Sequence, residues 1–245
     1  DGIVMLAAGT SHYASMVARY WIESIARVPV ACEVASEYRY RNPVTSAYTT
    51  AIAISQSGES LDTLMAMRHA GEAGLQTIGL VNVDGSTIAR EADIVMPTRA
   101  GPEIGVASTK AFTAQLTALL SFSIALAEAR GEITPARRDE LHGHIQRLPS
   151  LVGKTLGLFD QIRPVAHSLM AARSALYLGR DVLFPVALEG ALKLKELSYI
   201  HAEGFASGEM KHGPIALIEE GLPVIALLAA DEVMGKAASN LQEAS

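Results

Sequence analysis

Short apolar runs separated by stretches of helical periodicity leave this chain few folds to adopt. Ile3 to Ala7, Thr50 to Ile54, Thr77 to Val81 and Asp93 to Pro97 read as strands. Between them, Met16, Val17, Tyr20, Trp21 and Ile25 recur at helical spacing, Leu61 to Ala73 is a second helical run, and Ser108 to Ala129 a third. This alternation predicts a parallel sheet with helices on both faces and ligands at the carboxyl ends of the strands.

Two serine-rich loops fall at such ends. Gly9-Thr10-Ser11 follows the first strand, and Ser55-Gln56-Ser57-Gly58-Glu59-Ser60 joins the second to its helix. A strand-to-helix junction aims backbone N–H groups outward at the positive end of the helix dipole, where serine hydroxyls add donors for an anion. The second loop holds no Lys or Arg, so it would bind phosphate through neutral hydrogen bonds. The same residues also suit an ordinary serine-capped helix start.

The middle of the chain is helical. Thr134 and Pro135 give an N-cap and a first-turn proline to a polar helix running to about Leu148. Pro149-Ser150 is expected to break it and start another helix, with Leu151, Leu158, Phe159, Ile162 and Val165 on the buried side. The expected organisation is a first subdomain over 1–132, connecting helices over 133–172 and a second subdomain over 173–245. In the last part, Ala175 to Gly179 and Pro223 to Leu228 read as strands, Pro185 to Tyr199 as a helix, and Asp231 as the cap of a helix still in progress at Ser245.

The two parts resemble each other internally. Gly9 ends the first strand of one and Glu33 follows 24 residues later; Gly179 ends the first strand of the other and Glu203 again follows by 24. Each then enters a charged segment closed by proline, Tyr38 to Pro43 and Glu209 to Pro214. Two copies of one α/β unit are expected, the second unfinished.

The second copy carries the densest chemistry. Glu189, Lys193 and Glu196 are spaced i, i+4 and i+7, which puts two carboxylates and an ammonium on one helix face and turns Lys195 elsewhere. A solvated ion pair is the ordinary fate of such residues. The apolar company of Ala187, Leu188, Ala191, Leu192, Leu194 and Leu197 predicts burial instead, where charges need partners or a task. Lys211-His212-Gly213-Pro214 then offers a histidine in a loop, and a His and a Glu are the acid and base that moving protons on a sugar requires. His142-Gly143-His144 cannot converge on a metal at i, i+2 and is read as surface. Cys32 is read as a small buried side chain. Glu103 to Lys110 precedes the long helix and can present further donors, or is a plain capped start.

Composition narrows the class. The chain has 245 residues, 49% hydrophobic, enough for a sizeable core. The run Leu116 to Ala127 is too short to span a bilayer, so no membrane association is expected. A net charge of −6 without long runs of one sign argues against nucleic acid. One cysteine excludes an internal disulfide framework and fits a reducing compartment, so a cytoplasmic location is expected.

Taken together, Gly9 to Ser11, Glu33 to Arg41, Ser55 to Ser60, Glu103 to Phe112 and Ala187 to Pro214 resemble the isomerase half of the glutamine:fructose-6-phosphate aminotransferase family, over essentially the whole chain. The resemblance implies an α/β fold of two tandem sugar isomerase (SIS) subdomains, each a flavodoxin-like parallel sheet with flanking helices, the second incomplete. It implies that Ser55, Gln56, Ser57 and Ser60 bind the phosphate of fructose 6-phosphate and that Ser11, Val106 and Ser108 line the sugar. Glu196 matches the base that shuttles a proton between C1 and C2, Lys193 a lysine at the reacting end, and His212 the residue that opens the ring from a neighbouring subunit. A homodimer is therefore implied, with no metal or organic cofactor, because the open sugar's carbonyl already acidifies the neighbouring C–H.

A glutamine-hydrolysing domain that supplies ammonia, and a tail with a further lysine, belong to the family's full enzyme and find no match here. Isomerase activity of this chain alone is expected to be weak or absent. A stand-alone phosphosugar isomerase or deaminase of the same superfamily and a non-catalytic sugar-phosphate sensor remain open alternatives. A Rossmann-type dinucleotide site does not, since Gly9-Thr10-Ser11-His12-Tyr13-Ala14 fails Gly-x-Gly-x-x-Gly.

Overall fold

The computed structural model describes residues 2–242, which form two compact units dividing between His142 and Gly143. In the first, β1 (Ile3–Ala7) leads into α1 (Gly9–Trp21) and a π-helical turn (Ile22–Ala26), then β2 (Val30–Val34), the short α2 (Ala35–Tyr38) and a 3-10 turn (Arg39–Arg41). β3 (Thr50–Ser55), α3 (Leu61–Glu72), β4 (Gln76–Val81), α4 (Thr87–Glu91), β5 (Ile94–Pro97) and α5 (Lys110–Arg130) follow. The strands form one parallel sheet in the order β2-β1-β3-β4-β5, the flavodoxin-like arrangement.

Alternate side chains of each strand feed opposite faces. Met5, Ile52, Ile54 and Leu80 pack with α1 and α5 on one side. Val4, Leu6 and Ala51 meet Ala66 and Ala70 of α3 on the other, with Ala35 and Tyr38 of α2. Each fully buried side chain of this size contributes about 1.5–3 kcal/mol. α5 is 21 residues long, within two residues of the expected Ser108 to Ala129 at each end, and its length and composition would suffice for a membrane span. Its buried Leu119, Ile124 and Ala127 pack it into this core instead.

Cys32 sits on β2 with its thiol donating to the Ser15 carbonyl at 3.3 Å. Burial pushes its pKa up to about 11 from 9.0. Thiolate at a given pH below both values is then about 100-fold scarcer than for an unperturbed thiol, so iodoacetamide labelling at pH 8 should be slower by that order. Labelling as fast as a free thiol, followed by mass spectrometry, would contradict this placement.

In the second unit, β6 (Ser174–Gly179), α8 (Leu183–Ser198), β7 (His201–Ala206), 3-10 turns at Ser207–His212 and Pro214–Leu217, β8 (Val224–Ala226) and α9 (Met234–Gln242) build a parallel sheet ordered β7-β6-β8. That order repeats β2-β1-β3. The repeat holds at the level of register: Leu6 faces Glu33 and Leu176 faces Glu203, in each case the residue three before the repeat glycine opposite the repeat glutamate. Gly179 closes β6, where an added Cβ would lie 2.1 Å from the Leu183 carbonyl oxygen, so only glycine lets α8 begin this close to its strand.

Two expectations for the connecting helices fail. α6 (Pro135–Leu156) begins at Thr134 as expected, with Arg137 N–H donating to Thr134 Oγ1 at 3.2 Å, but runs straight through Pro149. The interruption comes at Gly157-Leu158, before α7 (Phe159–Leu169). Proline withdraws one N–H and crowds one carbonyl, a local cost that α6 carries without burying any residue. Leu151, Leu158, Phe159, Ile162 and Val165 are exposed rather than buried, Phe159 by 65%. Periodicity marks a face suited to a partner, and no described residue buries this one. At the far end Asp231 Oδ1 accepts from Val233 N–H at 3.0 Å just ahead of α9; the expected continuation to Ser245 lies outside the described residues.

Candidate functional site

The sheet order reverses direction between β1 and β3: α1 leaves to one face and α3 to the other, which opens a crevice beyond the carboxyl ends of the two strands. The Ser55–Ser60 loop stands there, and Gly9-Thr10-Ser11, expected as a loop, forms the first turn of α1 instead. Ser55 is the last residue of β3, buried, and its Oγ accepts from Gly58 N–H at 3.0 Å; Ser57 Oγ accepts from Glu59 N–H at 3.2 Å. The chain turns at Gly58 with φ +66°, and an added Cβ would lie 2.0 Å from Ser86 Oγ. Ser86 in turn caps α4, whose Ile88 and Thr87 N–H groups donate to Gly58 O at 3.0 Å and Glu59 Oε1 at 2.8 Å. The loop is thus braced from behind by a helix start.

Its own helix is not serine-capped. Ser60 occupies the N-cap position of α3 without a side-chain cap bond, and its Oγ accepts from Thr63 Oγ1 at 3.3 Å instead. The first-turn N–H groups of α3 have no intrahelical acceptor, as at every helix start. The half-buried Gln56 and Ser60 and the exposed Ser57 rim that end. Chemically this is a neutral cradle of N–H and hydroxyl donors at a positive dipole terminus.

Residues not singled out in the sequence brace the neighbouring segment. Asn82, directly after β4, accepts from Ala100 N–H at 2.7 Å and Thr98 Oγ1 at 3.2 Å, and donates through Nδ2 to Gly101 O at 2.8 Å. Its backbone N–H donates to Gln56 O at 3.2 Å, so one residue ties the Ser55–Ser60 loop to the segment that leads to Val106 and Ser108. A polar residue just past a fully buried strand is the signal that could have found it. Glu103 spends its carboxylate on α5, accepting from Ala111 N–H at 3.1 Å, so it caps that helix from a distance. Val106 stands fully exposed, Ser108 half-buried. Ser11, in the first turn of α1, is buried and accepts from Gln115 Nε2 at 3.0 Å.

In the second unit, α8 brings together the three charges that spacing placed on one face. Lys193 Nζ lies 3.4 Å from Glu189 Oε1 and 2.6 Å from Glu196 Oε2. Glu189 is buried at 5% exposure, but the last turn emerges into solvent with Glu196 and Leu197. The expectation of a wholly buried helix is corrected: β6 and β7 shelter its earlier turns only. An ammonium held between a buried and an accessible carboxylate fixes the rotamers of all three through charge-assisted bonds. His212 ends the 3-10 turn after β7, exposed, next to Gly213 at φ +143°.

Register also shows what the second copy lacks. Leu6 pairs with Ala53 and Leu176 with Val224, so Ser55 to Ser60 correspond to Ala226-Leu227-Leu228-Ala229-Ala230-Asp231. Hydroxyls are replaced by methyl groups, and the helix-cap position carries a carboxylate.

A cavity of about 690 Å³ lies elsewhere, where α3 ends and β4 and β5 begin, with Arg68, Gln76, Thr77, Glu91 and Asp93 in its wall. That is the amino-terminal edge of the sheet, away from the ligand loops. Its polar groups already serve each other, Arg68 with Glu91 at 2.6 Å and Asp93 with the Thr77 N–H at 2.7 Å.

Comparison with known proteins agrees with this geometry. The SIS domain model matches residues 1–125 and 168–243. A glutamine–fructose-6-phosphate aminotransferase (isomerizing) of Brucella abortus is 54% identical over 243 residues, which make up 99% of this chain and 40% of that protein. The chain therefore spans less than half the length of such curated relatives. The C-terminal domain of glucosamine-fructose-6-phosphate aminotransferase from Francisella tularensis superposes with a TM-score of 0.97 at 42% identity, covering 99% of this chain and 69% of that one. A glucosamine-6-phosphate deaminase from Thermotoga maritima, 22% identical with a TM-score of 0.81 over 100% of this chain and 75% of its own, shares the fold. With its flavodoxin-like sheet, its repeated register and its serine loop at the switch point, the chain belongs to the SIS-domain family, in company with relatives named glutamine–fructose-6-phosphate aminotransferase.

Proposed function

We propose that this chain binds fructose 6-phosphate and carries the isomerising half of glucosamine 6-phosphate formation. Ser55, Gln56, Ser57 and Ser60 with the α3 terminus take the phosphate, and Ser11, Val106 and Ser108 flank the sugar. His212, contributed by the neighbouring subunit of a homodimer, helps open the furanose. Ammonia, delivered by a glutaminase domain in the intact enzyme, replaces the C2 carbonyl oxygen as water leaves. Glu196 then takes a proton from C1, giving an enolamine, and returns it to C2 while the C1 hydroxyl becomes the aldehyde. Lys193 sits beside this exchange and Glu189 anchors Lys193 from the buried side.

The observation that carries the reading is the Glu189–Lys193–Glu196 chain, a base held in place by an ammonium that is itself fixed by a buried carboxylate. The ligand claim is tested by calorimetric titration of the 245-residue chain with fructose 6-phosphate and with fructose. The phosphate ester should bind at least about tenfold more tightly, as a few hydrogen bonds to a charged group imply. Equal affinities overturn the assignment.

A further inference from the structure

Gln115 is out of place in the core. It lies on α5, 1% exposed, among Ala111, Leu119 and the apolar residues that pack α5 on α1. A leucine or methionine would fill the space without a polar group. The amide is only half satisfied: Nε2 donates to Ser11 Oγ at 3.0 Å, while Oε1 is buried with no hydrogen-bond partner among the described residues. Leaving a buried acceptor unpaired is unfavourable, so the bond to Ser11 has to serve something other than stability.

The hydroxyl's chemistry says what. A serine hydroxyl has one proton to donate and two lone pairs to accept with. The Gln115 N–H occupies a lone pair of Ser11 Oγ across 104 residues of sequence, from a helix rigidly packed against the one that carries Ser11. A hydroxyl already accepting from a neutral amide offers its proton to the next group it meets. Ser11, in the first turn of α1 directly after β1, is thereby polarised toward donating its proton, the polarity that a sugar or phosphate oxygen requires.

We infer that Gln115 is a positioning residue that sets Ser11 as a hydrogen-bond donor to the sugar phosphate. The inference rests on the reading of Ser11 as part of the ligand site. It makes the polarity of that contact a property of α5, outside the ligand loops.

The test is a set of calorimetric titrations with fructose 6-phosphate, each variant paired with its melting temperature. Gln115→Met keeps the volume and removes the unpaired oxygen. Its affinity should fall about tenfold with no loss of melting temperature, whereas a merely structural Gln115 would give lower stability and unchanged affinity. Gln115→Glu supplies an acceptor in the same shape and claims the Ser11 proton, so it should weaken binding further than Gln115→Met; tighter binding would contradict the inference. In a Ser11→Ala background Gln115→Met should change affinity by less than about twofold, because nothing remains to orient. If Ser11→Ala alone leaves affinity intact, the assignment of Ser11 falls and the role of Gln115 with it. If Ser11→Ala weakens binding but Gln115→Met does not, only the role of Gln115 is overturned.

Discussion

Gly58→Ala should abolish tight binding of the sugar phosphate and lower the stability of the first unit. The new Cβ would sit 2.0 Å from Ser86 Oγ and 2.4 Å from Ser86 Cβ, on a backbone held at φ +66°. The left-handed backbone costs about 1–2 kcal/mol and the overpacking about 1–3 kcal/mol, roughly 2–5 kcal/mol in sum. Relief requires the loop to move away from α4, which breaks the bond from Ile88 N–H to Gly58 O. Displacing the cradle by about 1 Å is enough for an affinity loss on the order of 100-fold. Ser86→Gly removes both clashing atoms at the cost of the α4 cap, a few tenths of a kcal/mol for a glycine replacement. Combined with Gly58→Ala it should be less destabilising than the two changes added together, measured by urea unfolding. Strict additivity would mean that contact with Ser86 is not what demands glycine.

Glu196→Gln should have the opposite profile, with chemistry lost and binding kept. An amide cannot take up the C1 proton, and losing a positioned base costs about 100- to 10,000-fold in rate. Exchange of the C1 hydrogen of fructose 6-phosphate with D2O, followed by NMR, reads the step directly and tolerates slow turnover. Stability should move by no more than about 1 kcal/mol, because Glu196 and its side of the ion pair face solvent. Undiminished exchange in this variant would remove Glu196 from the mechanism.

The strands legible in the sequence are those with consecutive apolar residues, the exposed β5 and the half-buried β8 among them. β1, β3, β4 and β6 read as apolar runs because a parallel sheet covered by helices demands them. β2 and β7 do not, since Val30-Ala31-Cys32-Glu33-Val34 and His201-Ala202-Glu203-Gly204-Phe205-Ala206 are edge strands with half-exposed polar residues. They surfaced only as the two glutamates of the repeat. α4 is five residues long, too short for periodicity to register. Pro149 shows the limit of a local rule: α6 continues through it although proline removes a helix hydrogen bond and crowds a carbonyl.

In the site, residue types at fixed spacing were readable: Glu189, Lys193 and Glu196 meet because i, i+4 and i+7 share a helix face. Supporting residues were not. Asn82 and Gln115 act across 16 to 19 and 104 residues of sequence, separations that only the folded sheet brings together.

The repeat gives this chain two strand-to-helix junctions, and the hydroxyl-rich one is the first. Where the first copy presents Ser55 and Ser57, the second presents Ala226 and Leu228, so an anion arriving at the second meets methyl groups in place of hydroxyl donors. On the proposed reading of the Ser55–Ser60 loop, the asymmetry sets the valence of the ligand as well as its location. A hexose with one phosphate has a seat for its anion, and a bisphosphate gains nothing from the junction after β8. On that reading the chain discriminates by what its second copy lacks as much as by what its first carries.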